Sequence, residues 1–459
     1  MNVVLPPAAE ALRALKDVLP GRLFLPGETG YDAARSPWNT AVDQRPAAVV
    51  VATSTADVIA VVRTAAANGL RVAPQSTGHN AGPLAAKLSD AILLKLSEFT
   101  GVSVDPQARR AHVVGGTTWD DVVNAAAQHG LAALHGSSPD VGVIGYTLGG
   151  GLSWYARRHG WAADHVRAFD LVVADGTLLR ADAEHHPELF WALRGGGGGV
   201  GVVVGIDIEL LPLTEVYGGM LLWDGVRAAE VAHAWSRWTN TVPDAVTTAL
   251  RLMSFPPLPE LPEFLRGRQL VVVDGAILTP DSEAAQLLAP LRDLGPELDT
   301  FARVPAAAIT RIHLDPEHST PGVSDHLLIE DLPPAAVDAF LGACGPESGT
   351  TLLSAELRHL GGALGRRPSS AGAMSGLDAA FSAFFVAVAP TPQVAAIGRA
   401  DAARAVESLA PWGTGRRLLN FTEYPAEPSA GFDQDAWRRL CDLRAHLDPT
   451  GVFVAAHIG

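Results

Sequence analysis

Between residues 45 and 213, short valine-rich runs alternate with segments of helical periodicity, and this alternation is the feature that most constrains the fold. The run AAVVVAT predicts a strand, and the stretch after it predicts a helix that Thr53 or Ser54 caps and Gly69 ends. The apolar run LRVAP then predicts a second strand. The order of strand, helix and strand is typical of an α/β unit.

A second unit of the same kind follows. RRAHVVGG predicts a strand, Thr117 or Thr118 starts a helix with acidic residues in its first turn, and LAALHG completes the unit. Farther along, FDLVVADG and TLLRAD are separated by an Asp-Gly turn and predict a hairpin. A helical turn, a run of five glycines at residues 195–199 and a long Val/Ile strand end this region.

The pattern changes after this region. Residues 215–412 contain amphipathic helices, strands such as QLVVVDGAIL and proline-broken loops, which indicate a second domain. The last segment predicts a strand at RLLNFTEYP, then a loop, then a helix. The apolar face of that helix consists of Trp437, Leu440, Leu443 and Leu447.

Charge and cysteine content exclude several classes of protein. The 459 residues include 34 Lys and Arg and 49 Asp and Glu, and the net charge of −15 argues against binding to nucleic acid or anionic membranes. Cys344 and Cys441 cannot form a disulfide framework and lack the spacing of a zinc site, so we expect no metal. The first residues lack the pattern of a secretory signal and no apolar run is long enough to span a membrane, so we expect a cytoplasmic protein.

Two glycine-rich blocks stand out in the α/β region. In VAPQSTGHNAG, residues 72–82, small residues let backbone N–H groups converge on an anion such as a pyrophosphate, with His79 beside them. By itself this block also fits an ordinary loop with an exposed or capping histidine. The second block, GSSPDVGVIGYTLGGG at residues 136–151, is too rich in glycine for a regular element and predicts backbone in close approach to a ligand. Two such loops can clamp one phosphate-bearing cofactor.

The common nucleotide-binding fingerprints are absent from the sequence. No GxGxxG opens a helix after a strand with an acidic residue about 20 positions later, as a nicotinamide-binding domain requires. The glycine run at 195–201 imitates that motif, but a β-branched run follows it instead of a helix. The motifs GxxxxGK[ST] and HExxH are missing as well.

Taken in order, five blocks resemble those of the FAD-linked oxidases of the vanillyl-alcohol-oxidase (PCMH-type) superfamily, in its berberine-bridge-enzyme-like, 6-hydroxy-D-nicotine-oxidase-like subgroup. The blocks are RPAAVVVATSTADVIAVVRTAAANGLRVAPQSTGHN, GSSPDVGVIGYTLGGGLSWYARRHGWAADHV, VVADG, HPELFWALRGGGGGVGVVV, and the terminal LLNF with LDPTGVF. The resemblance spans residues 40–215 and 416–455.

The resemblance implies an α+β fold with FAD as the cofactor. Residues 40–215 would form a PCMH-type FAD-binding domain of two α/β subdomains. Residues 216–415 would form a substrate domain with an antiparallel sheet flanked by helices. Residues 1–39 would be an N-terminal segment, and residues 416–459 a C-terminal segment that returns to the FAD domain.

The resemblance also implies a covalent bond between His79 and the 8α-methyl group of the flavin, the alternative being a histidine that only positions it. Ser138 stands where many relatives carry a cysteine bonded to flavin C6, so a single covalent bond is expected. Val141 matches a position where valine accompanies reactivity with oxygen, although a plain buried valine fits too. The expected FAD contacts are Gln75, Ser76, Thr77, Gly78, His79, Asn80, Ser138, Asp140, Val141, Gly142, Gly145, Tyr146, Gly149, Gly150, Gly151, Trp154, Val200, Val202, Val203 and Asn420.

The catalytic base is less defined. Relatives often carry a tyrosine base in a Tyr-x-Asn strand near the carboxy terminus, and the corresponding residues here are Leu418 and Asn420, so only the asparagine is kept. Glu356 is the first candidate, because strand alternation in AELRHLGGA aims Glu356 and Arg358 at one face. A desolvated carboxylate there would have a raised pKa suited to a base. A surface ion pair of the same two residues is the alternative.

Four further residues are weaker candidates for catalysis, namely Asn420, Tyr155, His313 and Tyr424, and Tyr424 more often serves in packing. Asn420 and Tyr155 are the others with an expected catalytic role, and Tyr155 fits a core aromatic equally well. His313, in RIHLD, more often marks a surface loop.

The predicted activity is that of an FAD-dependent oxidase. It would take a hydride from a small hydrophobic or secondary-metabolite-like substrate and pass electrons to molecular oxygen, giving hydrogen peroxide. The alternatives are a flavin-dependent oxygenase or oxidative cyclase, and a catalytically silent flavin-binding protein. The expected partners are a small-molecule substrate and oxygen, and the sequence gives no oligomeric state.

Overall fold

A computed structural model describes residues 7–257, 259, 261, 263–424 and 427–456. Three β-sheets follow one another along the chain. The strands of sheet 1 are β1 (Leu23–Phe24), β2 (Ala48–Val51), β3 (Arg71–Gln75) and β4 (Ala91–Lys95), in the order β1-β2-β4-β3. Strands β2, β4 and β3 are parallel, and β1 is antiparallel to β2. The helices of this part are α1 (Pro7–Val18), α2 (Tyr31–Arg35), α3 (Thr55–Asn68) and α4 (Gly82–Ala85).

Helix α3 shows why the sequence pattern of the first unit is informative. The Ser54 side chain accepts a hydrogen bond from Asp57 N–H at the first turn, and Gly69 ends the helix at a φ of 66°. Val58, Val61 and Val62 recur at helical spacing and are fully buried against the sheet. The predicted strand, helix and strand are confirmed.

Both ends of the described chain join sheet 1. Leu12 and Leu15 of helix α1, and Leu19 just after it, pack into the same core as α3, so this N-terminal helix is part of the structural unit built on sheet 1. At the other end, Val72 N–H donates to the Val452 carbonyl (2.7 Å) and Val454 N–H donates to the Val72 carbonyl (2.9 Å). The C-terminal segment thereby extends the sheet beside β3.

Sheet 2 is antiparallel and has the order β5-β6-β9-β7-β8. Its strands are β5 (Thr100–Asp105), β6 (Arg110–Gly115), β7 (Val166–Val172), β8 (Leu178–Asp182) and β9 (Val202–Glu209). Its helices are α5 (Trp119–Ala127), α6 (Val143–Leu148), α7 (Ala156–His159) and α8 (Pro187–Leu193). The pairing of β7 with β8 confirms the predicted hairpin.

Two local predictions in this region are wrong. LAALHG forms no strand and pairs only through a single bridge between Ala132 and Leu211, because β9 is already paired on both sides. The second glycine block contains a regular element, the short helix α6. Its residues Val143, Ile144 and Thr147 are buried at helical spacing, and burying them outweighs the low helix propensity of the glycines.

Sheet 3 is an eight-stranded antiparallel sheet with the order β13-β10-β12-β11-β16-β17-β15, and β14 also pairs with β10. Its strands are β10 (Glu215–Asp224), β11 (Val246–Ser254), β12 (Gln269–Ile277), β13 (Leu298–Asp299), β14 (Ala302–Pro305), β15 (Gly322–Ile329), β16 (Ser354–His359) and β17 (Phe381–Val388). Its helices are α9 (Ala228–Thr239), α10 (Asp281–Arg292), α11 (Pro334–Cys344) and α12 (Pro392–Leu409). They cover one face around a core that includes Trp235, Phe340 and Phe385. This architecture confirms the predicted fold class, α+β with a helix-flanked antiparallel sheet.

The segment after sheet 3 differs from the prediction in part. RLLNFTEYP forms no strand in its described residues. Leu419–Phe421 is a single 3₁₀ turn, and the Leu418 N–H donates to His326 Nε2 (2.8 Å) instead of to a neighbouring strand. The predicted helix is present as α13 (Gln434–Leu447), with Leu440 buried on its apolar face.

Candidate active site

The first glycine-rich loop leaves the carboxyl end of β3 and is held from behind by Lys95. The ammonium group of this buried lysine donates hydrogen bonds to Gln75 Oε1 (2.9 Å) and to the Ser36 carbonyl (3.3 Å). Burial lowers the pKa of Lys95 to about 8. Gly78 has a φ of 84°, and a side chain there would come within 2.7 Å of Pro37, so the turn requires glycine.

The second glycine-rich loop, residues 136–142, is fixed by the start of helix α5. The Asp120 N–H donates to the Pro139 carbonyl (2.8 Å). Gly142 then presses against the first loop, because a methyl group on Gly142 would clash with Ser76 Oγ. The two loops that the sequence marks as glycine-rich are therefore in direct contact.

The C-terminal segment closes the site from another side. Asn420 Nδ2 donates to the Tyr146 carbonyl (2.9 Å), and a methyl group on Gly149 would overlap the Asn420 amide. Asn80 Nδ2 donates to the Leu419 carbonyl (3.0 Å). Three distant parts of the chain thus meet at this point. Since the Asn420 amide is bound to backbone, its catalytic role stays a prediction.

The polar atoms of these loops fit an FAD molecule. Four of them are buried without a hydrogen-bond partner among the described residues, namely Gln75 Nε2, His79 Nε2, Asn80 Oδ1 and Asp140 Oδ1. On the exposed side of α6, a Cβ on Gly145 would meet no atom within 4 Å. Unsatisfied donors and acceptors beside open glycine backbone are what a polar, phosphate-bearing cofactor satisfies on binding.

The ring of His79 is surrounded by three side chains. Trp38 stacks on it at 4.1 Å with an interplanar angle of 18°. Thr77 Oγ1 lies 2.7 Å from His79 Nδ1, and Asp140 Oδ1 lies 3.4 Å from Nε2. Sequence analysis missed Trp38, since a single aromatic residue in the N-terminal segment has no local pattern that indicates a site.

The remaining predicted FAD contacts lie at the edges of this region. Ser138 is half-buried in the second loop. Val200, Val202 and Val203 are buried in the hydrophobic cores of sheets 1 and 2. The N–H of Gly197 donates to the Leu148 carbonyl (2.8 Å), which brings the glycine run to the end of α6. Contact of these residues with FAD stays a prediction.

The face of sheet 3 opposite its helices is buried and polar. Strand alternation places one residue in two on this face, and directly paired residues of neighbouring strands share it. The buried polar residues of this face, which we call the roof, are Thr247, Arg251, Asp274, Ser324, His326, Glu356, Arg358 and Ser382. Phe384 lies among them, opposite Glu356, with its ring 5.0 Å from that of Phe421.

Five roof and loop residues form a buried ion network: Arg251, Asp274, His313, Glu356 and Arg358. His313 lies between two carboxylates, with Nδ1 2.8 Å from Asp274 Oδ2 and Nε2 3.0 Å from Glu356 Oε2. Arg358 Nε donates to Glu356 Oε1 (2.7 Å), and Arg251 pairs with Asp274. Side chains in the network are at most 6% exposed. Since both ring nitrogens of His313 face carboxylate oxygens, the ring is an imidazolium that donates to both.

Glu356 and Arg358 share a face, as the sequence predicts, but the expected raised pKa of Glu356 is wrong. Burial by itself raises the pKa, but the charge of Arg358 and the hydrogen bond and charge of His313 outweigh it and hold the pKa well below its usual range. The alternative of a surface pair is wrong as well, since both residues are buried. Glu356 is therefore an ionised carboxylate with low basicity.

His313 is buried, so the surface loop expected for it is wrong. Burial and the charge of Arg251 lower its pKa, but the carboxylates of Asp274 and Asp315 outweigh them and raise the pKa to about 9. The next residue, Leu314, has a φ of 57°, an uncommon backbone conformation for leucine. Asp315 then accepts a hydrogen bond from Ser137 Oγ (2.8 Å), so this strained segment joins the roof to the second glycine-rich loop.

The aromatic candidates lie between sheet 2 and the roof. Arg358 stacks over the Trp154 ring at 4.7 Å. Tyr155 is fully buried in the same apolar cluster, its hydroxyl donates to the Ala306 carbonyl (3.4 Å), and burial raises its pKa. This is the environment of a core aromatic, and a catalytic role for Tyr155 stays a prediction. Tyr146 donates its hydroxyl to the Leu134 carbonyl (3.2 Å).

Sequence analysis also missed Glu423. Burial raises the pKa of this carboxyl group to about 7, although the Ser324 N–H donates to it (3.1 Å). A carboxyl group that titrates near neutral pH is suited to proton transfer. Glu423 lies three residues after Asn420, in the same C-terminal segment that closes the site.

The described part of the chain shows neither a metal site nor a membrane-spanning helix. Among the described residues, no group of His, Cys, Asp and Glu side chains is arranged to hold a metal ion. None of the described helices has both the length and the apolar character needed to cross a membrane.

Comparison with known proteins agrees with the geometry. A family model described as an FAD binding domain matches residues 46–182. The (R)-6-hydroxynicotine oxidase of Paenarthrobacter nicotinovorans is 34% identical over 204 residues, 44% of this chain and 44% of that protein, so the match spans less than half of the relative. The uncharacterized FAD-linked oxidoreductase YvdP of Bacillus subtilis is 25% identical over 453 residues, 95% of this chain and 97% of that protein.

A solved structure extends the likeness to the whole fold. The BBE-like 1 protein of Physcomitrella patens superposes with a TM-score of 0.85 at 19% identity, covering 98% of this chain and 99% of that one. The loops, their unsatisfied polar atoms and these matches lead to one assignment. The chain contains an FAD binding domain, is similar along most of its length to an FAD-linked oxidoreductase, and has the fold of a berberine-bridge-enzyme-like protein.

Proposed function

We propose that this protein is an oxidase that carries one covalent flavin bond, at His79, and passes electrons from a small-molecule substrate to molecular oxygen with release of hydrogen peroxide. The observation that carries the proposal is the set of unsatisfied buried polar atoms around His79, in two glycine-rich loops pressed together at Gly142 and Ser76. Ser138 supports a single bond, since a serine has no thiol to form a second, thioether bond to the flavin.

Bound FAD supplies the hydride acceptor, and the residues of the chain bind and orient the substrate. The roof offers a substrate two kinds of contact. Phe384 and Phe421 offer an apolar surface, and Glu356 and Arg358 beside them offer an acceptor and a donor of hydrogen bonds. The proposed substrate is therefore small and apolar, with a hydroxyl or amine group that the ionised Glu356 orients.

The weak basicity of Glu356 limits what it does for the reaction. A carboxylate held ionised by Arg358 and His313 accepts a hydrogen bond well but takes up a proton poorly. Its main role is to hold the substrate hydroxyl or amine in one orientation. Glu423, whose pKa is raised to about 7, is the acid or base with the better match to neutral pH.

A compound screen tests the proposal. Small apolar alcohols and amines are added to the oxygen-free protein, and flavin bleaching identifies a substrate. Air is then admitted, and peroxide and product are measured together with uptake of labelled oxygen into the product. The proposal predicts one peroxide per product and no label. Label in the product would establish the oxygenase alternative, and a flavin that no compound bleaches, or that stays reduced in air, would contradict the oxidase.

A further inference from the structure

The three side chains around His79 are tied to one another as well as to the ring. Trp38 Nε1 donates to Asp140 Oδ2 (2.5 Å) while the Trp38 ring stacks on His79. The Trp38 N–H also donates to the Thr77 carbonyl (2.9 Å). One tryptophan therefore sets the position of the carboxylate, the imidazole and the loop between them.

This arrangement assigns a different task to each nitrogen of the His79 ring. Asp140 Oδ1 lies 3.4 Å from Nε2. Because a carboxylate only accepts hydrogen bonds, we assign the hydrogen of the neutral ring to Nε2. Nδ1, 2.7 Å from Thr77 Oγ1, then carries a lone pair and accepts from that hydroxyl. Neither Nε2 nor Oδ1 has another partner among the described residues. A carboxylate that accepts from one ring nitrogen raises the basicity and the nucleophilicity of the opposite nitrogen.

We propose that Asp140 is the proton acceptor for self-catalysed attachment of FAD to His79, with Trp38 as the residue that positions both groups. This inference rests on the covalent bond proposed above. The N–C bond forms between Nδ1 and the 8α carbon as the Thr77 hydroxyl turns away. One C–H bond of the methyl group breaks and its proton goes to water, while the Nε2 proton passes to Asp140. The electron pair of the C–H bond reduces the flavin ring, and molecular oxygen takes up that pair with two protons as hydrogen peroxide.

The surroundings of Asp140 suit it to accept this proton. Its Oδ1 atom is buried beside His79, while the side chain as a whole is 24% exposed. Burial raises its pKa, but the neighbouring His79 and the Trp38 hydrogen bond outweigh that effect and keep the carboxyl group ionised at neutral pH. With Trp38 bound to Oδ2, Oδ1 remains for the imidazole.

The experiment measures covalent attachment directly. The full chain is freed of flavin or produced without it and is incubated with FAD in air. Intact-protein mass and flavin fluorescence of the denatured band give the covalent fraction over time, and ultrafiltration of native protein gives total FAD. The variants are Asp140→Asn, Trp38→Phe and Trp38→Leu. Asp207→Asn is the matched control, since Asp207 pairs with His112 Nδ1 at 2.7 Å in the same subdomain but across strands β6 and β9.

The expected result separates binding from attachment. Asp140→Asn should bind FAD but attach it about 100-fold more slowly, in the range that general-base catalysis contributes. Its remaining rate should rise with pH, because hydroxide replaces the carboxylate, while the natural protein shows no such rise. Trp38→Leu should slow attachment more than Trp38→Phe, which keeps the stacked ring, and Asp207→Asn should match the natural protein.

Two results would overturn the proposal. Attachment by Asp140→Asn at the natural rate would show that no proton passes to Asp140. Loss of FAD binding in Asp140→Asn, with the attachment rate of the bound fraction unchanged, would assign Asp140 to binding alone. If the natural protein never forms the bond, the covalent part of the proposed function fails. This outcome is distinct from the two above, because it is measured on the natural protein and does not depend on the Asp140→Asn variant.

Discussion

Replacing His313 by glutamine should remove the part of the pH dependence of stability that His313 contributes between about pH 6.5 and pH 9. His313 is 6% exposed and donates to two carboxylates, Asp274 and Glu356. Its pKa is raised to about 9 in the folded protein, against about 6.5 for an unfolded histidine. Glutamine has a similar length but no charge that titrates.

The sign and size of the effect follow from the raised pKa. The stabilisation by the imidazolium is fully present below about pH 6.5 and is lost as pH rises through about 9. A shift of this size corresponds to about 3 kcal/mol of unfolding free energy, since each pKa unit is about 1.4 kcal/mol. The variant also leaves two buried carboxylates with less compensation, so at neutral pH it should lose about 3–5 kcal/mol.

Urea unfolding, followed by far-ultraviolet circular dichroism at several pH values, measures both effects. The difference between the natural protein and His313→Gln should be largest near about pH 6.5 and shrink toward about pH 9. His112→Gln is the control, since His112 also bonds an aspartate but its side chain is 42% exposed, and it should change stability by less than about 1 kcal/mol. A difference between His313→Gln and the natural protein that does not depend on pH would refute the imidazolium.

Two other substitutions test the site. Glu356→Gln should slow flavin reduction by substrate about 10- to 100-fold with FAD content unchanged, because the substrate loses its orienting hydrogen bond. The exposed Glu330→Gln should leave the rate as it was. An unchanged rate for Glu356→Gln would remove Glu356 from substrate orientation. Gly142→Ala should lower FAD occupancy in purified protein, because its methyl group forces the loops apart at Ser76, and adding Ser76→Gly should restore it. Gly101→Ala is the control, because its methyl group meets only Val114, at 3.4 Å. Full FAD occupancy in Gly142→Ala would show that FAD binding does not need the contact between the loops.

The parts of the fold predicted well from the sequence are those set by local physics. The cap at Ser54, the left-handed end at Gly69 and the buried valines of α3 are decided within one helix. The glycine block was harder, because its glycines suggest an irregular loop. Burial of Val143 and Ile144 on a core that the sequence does not display makes α6 a helix instead.

The candidate site was also predicted correctly only where its residues are close together in the sequence. The loop with His79 is visible as a run of small residues, so it was predicted. The buried ion network was not, because its members come from strands and a loop far apart in the chain, and RIHLD by itself looks like a surface turn. The pKa of Glu356 was predicted in the wrong direction for the same reason. Burial is inferable from strand alternation, but the charges of Arg358 and His313 beside the carboxylate depend on how the strands pair.

The most direct test of the account is acid precipitation of the purified protein, with the flavin measured in the pellet and in the supernatant. We expect a yellow, fluorescent pellet for the natural chain and free flavin in the supernatant for His79→Ala. A colourless protein that takes up no FAD would contradict the cofactor assignment. Free flavin in the supernatant of the natural chain would contradict the bond at His79.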